Sequence, residues 1–175
     1  MRITPAFNGT VNVYAPDISS NGDVVFNYGI QNATTINLLS DINATASYNV
    51  IINLGTLNTN NFNIYAKTIN ASSGGTRVFN FGTSTLTAVT SMNFTNGDYT
   101  TWNCADATFV TNSFTGGLNG VYGTLLSYAG TLNTPHIVSG EGPITFESVV
   151  LVGTAGSHKA IELSLGCNLT VTDLS

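Results

Sequence analysis

The sequence predicts an all-β chain wound as a right-handed parallel β-helix, and three observations predict it. The first is composition. Valine, isoleucine and threonine number 14, 12 and 26 of 175 residues, with 22 asparagines and 18 glycines besides. β-Branched side chains suit a pleated surface, asparagine and glycine suit turns, and the mixture disfavours long helices. The second is patterning. Short alternating runs recur along the chain, and none of it carries apolar residues at helical spacing opposite a charged face. The third is repetition. Gly55-Thr56-Leu57-Asn58-Thr59 recurs unchanged as Gly130-Thr131-Leu132-Asn133-Thr134, and Gly-Thr occurs seven times where composition predicts about three. The 75-residue offset is three steps of 25. A loose period of that size marks stacked coils, each unable to bury its apolar face alone. An immunoglobulin-like β-sandwich is the competing architecture for so many short strands.

The elements follow in order. Residues 1–33 hold two of the four prolines, Pro5 and Pro16, and the turn phrase Asn21-Gly22-Asp23. Strand-like runs at 11–15 and 24–30 make this a β-rich cap or attachment segment, since the first coil of a solenoid exposes an apolar cross-section. Residues 34–175 form the β-helix itself. Its strands are expected at 35–39, 49–54, 62–67, 78–81, 84–89, 91–94, 101–104, 108–111, 121–126, 131–138, 144–152, 160–165 and 168–172. Turn formers separate them, among them Ser73-Gly74-Gly75, Asn96-Gly97-Asp98, Gly116-Gly117 and Gly140-Glu141-Gly142-Pro143. Alternation within the strands points Leu57, Leu86, Trp102, Phe146, Ile161 and Val171 into the tube. Threonine and asparagine suit the outside, where like residues stack in ladders and satisfy one another's polar groups.

Charge narrows the function. Only 7% of residues are charged, and four cations (Arg2, Lys67, Arg77, Lys159) cannot form the basic stripe that holds a phosphate backbone, so nucleic acid is not an expected partner. No apolar run reaches the ~18 residues of a membrane span, and the start lacks the apolar stretch of a secretory signal. Cys104 and Cys167 lack metal-site spacing and read as buried free thiols. Six Asn-x-Ser/Thr triplets occur, about the number that composition gives by chance, so no glycans are assigned.

Chemistry is sparse. Glycoside cleavage needs two carboxylates flanking a bond; Glu141 with Glu147 and Asp98 with Asp106 are the available pairs, and turn or surface charges explain them equally well. His136 and His158 are isolated, with no converging ligand set. No catalytic residue, metal site or cofactor is therefore expected. The densest aromatic spot is Asp98-Tyr99-Thr100-Thr101-Trp102-Asn103. Tyr99 and Trp102 could stack on a sugar face or meet another subunit; the competing reading puts Trp102 in the core.

The stretch Arg77-Val78-Phe79-Asn80-Phe81-Gly82-Thr83-Ser84-Thr85-Leu86-Thr87, then Trp102, then Ser113-Phe114-Thr115-Gly116-Gly117 with Tyr122, and finally Ile144-Thr145-Phe146-Glu147-Ser148-Val149 resembles a recurring block. That block belongs to β-solenoid proteins of tailed-phage and metagenomic viral genomes, taken as fibre, appendage or capsid-decorating parts. The resemblance spans roughly residues 35–175. The Asn103-Cys104-Ala105-Asp106 coil and Gly123 after the tyrosine depart from it. It implies a non-enzymatic structural protein of a bacteriophage virion, with other virion proteins as partners and a homotrimer as the expected assembly. A tailspike-like protein that binds or degrades a host surface glycan, or a cell-surface adhesin, is the alternative. The chain stops directly after an alternating strand, so its last coil is expected to meet more chain, a neighbour or another copy.

Overall fold

A computed structural model describes residues 1–3, 9–15, 22–26, 34–72, 75–95, 100–128, 136–140, 142–152, 161–163 and 168–174. Among them there is no helix. The strands are β1 (Arg2–Ile3), β2 (Thr10–Val13), β3 (Val24–Phe26), β4 (Thr35–Leu38), β5 (Ile42–Asn43), β6 (Val50–Ile52), β7 (Gly55–Asn58), β8 (Ile64–Asn70), β9 (Arg77–Asn80), β10 (Thr85–Asn93), β11 (Thr100–Thr111), β12 (Ser113–Gly116), β13 (Gly120–Tyr128), β14 (His136–Gly140), β15 (Pro143–Val152), β16 (Ile161–Leu163) and β17 (Asn168–Leu174). Every pairing between them is parallel, and each strand pairs with one a full coil away. This is the stacked, right-handed parallel β-helix the sequence predicts; a sandwich would need antiparallel partners.

Three walls result. Wall 1 stacks β2, β4, β7, β9 and the start of β11. Wall 2 stacks β5 with the first halves of β8 and β10, then the ends of β11, β13 and β15. Wall 3 runs through β1, β3, β6, the second halves of β8 and β10, then β12, β14 and β16. The cap expected at 1–33 is not structurally set apart where it is described. Its β2 and β3 pair in register with β4 and β6, so these strands are coils of the same stack.

The period is shorter than the repeated phrase suggests. Successive rungs of wall 1 lie 25, 21, 22 and 23 residues apart. Gly55 opens β7 and is followed one coil later by Arg77, whereas Gly82 lies in the turn after β9 with φ 51°. The two Gly-Thr phrases at 55 and 82 therefore occupy different corners of the coil. The copy at 130–134 lies outside the described residues.

The interior is built in columns. Val11, Ile36, Leu57, Phe79 and Trp102 stack on wall 1, and Ile42, Ile64, Leu86, Phe109, Leu125 and Val149 on wall 2. Early coils are mostly aliphatic, with Phe26 as the buried aromatic among them. Later ones are aromatic, with Phe79, Phe81, Phe94, Phe109, Phe114, Tyr122 and Phe146 fully buried. Of the predicted core positions, Leu57, Leu86 and Phe146 are buried, and Trp102 and Val171 pack against the core. The side chain of Ile161 lies outside the description.

Corners are secured by side chains reaching to the next coil. Asp41 Oδ1 accepts Asn63 N at 2.7 Å, and Asn63 Oδ1 accepts Thr85 N at 2.8 Å, one coil further on. Ser84 donates to Thr59 Oγ1 at 2.7 Å inside the tube, so buried hydroxyls also stack. One corner is tighter. Cys104 pairs with Tyr122 and Thr108 with Thr124, so the residues between shrink from three to the single Gly123. A β-carbon there would strike the carbonyl oxygens of Ala105 and Ala107, which is why this departure from the resembled pattern is a glycine.

Candidate functional site

Trp102 is the one predicted binding residue that the structure describes; Tyr99 lies outside the described residues. Alternation along β11 places the Trp102 ring on the inner side, stacked one coil above Phe79. Its centroid is 5.3 Å from Phe79, 5.9 Å from Phe94 and 5.1 Å from Tyr122. The indole N–H is buried without an acceptor among the described residues. The ring therefore serves the core and does not stand out as a platform for a sugar.

The other chemical candidates do not converge where they can be followed. Asp106 and Glu147 are both exposed, on β11 and β15. Their proposed partners Asp98 and Glu141, with His158 and Cys167, lie outside the described residues. So does the side chain of His136. No group of three potential metal ligands occurs among the described residues. Cys104 is a buried free thiol whose Sγ–H points to the Phe79 carbonyl at 3.7 Å. Burial pushes this thiol far above its ordinary range, so it stays protonated and unreactive.

Arg77 is a buried cation, missed by the sequence reading because it begins an ordinary-looking strand. Its guanidinium donates to the carbonyls of Ala71 and Thr95, the latter at 2.8 Å, and Nε donates to Thr100 Oγ1 at 3.2 Å. It clamps successive coils together, a structural role that uses the planar fork of arginine.

What the described residues offer to a partner is surface. The outside of wall 1 is polar. Asn37 donates to Asn12 at 3.0 Å, Asn58 to Asn37 at 2.7 Å, Asn80 to Asn58 at 2.5 Å and Asn103 to Asn80 at 2.6 Å. Beside this ladder stands a second column: Thr10, Thr35, Thr56, Val78 and Thr101. Each inner amide gives one N–H and accepts one, so the row is bonded along its length.

The outside of wall 2 is different. One outward column reads Tyr65, Thr87, Val110, Leu126 and Val150. Flanking it are Val89, Tyr128 and Val152, exposed by 48%, 44% and 37%. Tyr128 and Val152 are themselves a registered pair. Between Val89 and Tyr128 opens a groove of about 220 Å³, walled also by Thr87, Val110 and Asn112. The Oδ1 of Asn112 is buried with no partner among the described residues. Consecutive apolar residues such as Phe109-Val110, Leu125-Leu126 and Val149-Val150 were the available signal: where neighbours are both apolar, one must face out.

Comparison with protein-family models, with curated proteins and with solved structures finds no match.

Proposed function

We propose that this chain is a non-enzymatic structural component of a tailed-phage virion, a fibre, appendage or capsid-decorating protein, that acts by assembly and display. The observation that carries the assembly part is the long, periodic, nearly chargeless outside of the tube. Wall 1 carries no charge among its described outward positions, and wall 2 carries none from β10 through β15. Tubes with so few charges repel weakly on close approach. The coil stack makes a stiff element, because every described strand of the middle coils is bonded above and below. The virion setting rests on the resemblance of the 77–149 block to phage β-solenoid proteins. Cys104 and Arg77 are spent on the interior, which fits a molecule built to be held and not to turn over substrate.

Particles purified from a host carrying this sequence test the reading. Mass spectrometry is expected to find the chain at a fixed ratio to the major capsid protein, retained through density-gradient banding. Its absence from banded particles, with the chain present in the lysate, would overturn the virion assignment.

A further inference from the structure

We draw no further inference here: the strongest candidate, the outward stripe of wall 2 from Tyr65 to Val150 with the groove beside Tyr128, is an unpartnered face broken by Thr87 and the exposed Lys67, and nothing in the structure shows what covers it.

Discussion

Wall 1 and wall 2 are the same backbone with opposite solutions to the same problem. Each must place an outward residue on every coil about 4.8 Å above the last. Wall 1 answers with asparagine and threonine, and the asparagines bond along the axis. Wall 2 answers mainly with valine, leucine and tyrosine, which leave apolar surface in water. The first arrangement is complete within one chain. The second leaves apolar side chains partly exposed in a single chain. The two faces of one tube are thus held differently, and substitutions on each can be compared directly.

The most severe test is whether both walls hang on one core. Phe146 is fully buried and packs on Phe114 and Tyr122 with centroids 5.1 and 5.2 Å away. Phe146→Ala is expected to destabilise the chain by about 3–5 kcal/mol, through lost transfer energy and the cavity left behind. Urea unfolding followed by circular dichroism measures it. A loss below about 1 kcal/mol would mean that this strand does not share the core, and the comparison between walls would then lose its common frame.

A smaller effect separates the middle of the polar wall from its end. Asn58 both donates to Asn37 and accepts from Asn80, whereas Asn103 has one ladder bond. Asn58→Ala is expected to cost about 1–2 kcal/mol and Asn103→Ala about half of that, at roughly 1 kcal/mol per bond. The same urea titration reads both. Equal losses at the two positions would show that the number of ladder bonds does not set the cost of removing an amide.

Much of this was legible in the sequence, for reasons that differ by element. The parallel coil stack was readable because its signals are compositional and local: β-branched runs, turn phrases, few charges. Ladders of like residues were anticipated for the same reason. The period was read too long, since the most visible repeat, Gly55–Thr59 and its later copy, spans several coils whose lengths vary between rungs. The Asn12-to-Asn103 row could not be aligned until the register placed each asparagine. Trp102 illustrates a different limit. A tryptophan beside aspartate and asparagine has the same local sequence whether its ring faces in or out, and only the stacking of β11 on β9 decides it. Arg77 was invisible as a buried group, because nothing near it in sequence announces the Ala71 and Thr95 carbonyls that receive it.

The smallest expected effect is the most discriminating. Leu126 points outward between Val110 and Val150 and is only half-buried in a single chain. Leu126→Thr keeps a β-favouring side chain and removes part of one cross-strand contact on each side. Measured at high dilution, where a single chain is the species present, it is expected to change stability by no more than about 1 kcal/mol. Measured at concentrations where chains assemble, the same substitution removes apolar area from a repeated interface in every copy, so the apparent loss is expected to grow with protein concentration. That growth is the signature of a residue whose burial is supplied by another molecule. A loss that is large at dilution and flat with concentration would place Leu126 among the residues that a single chain needs. The two walls would then differ in chemistry but not in task.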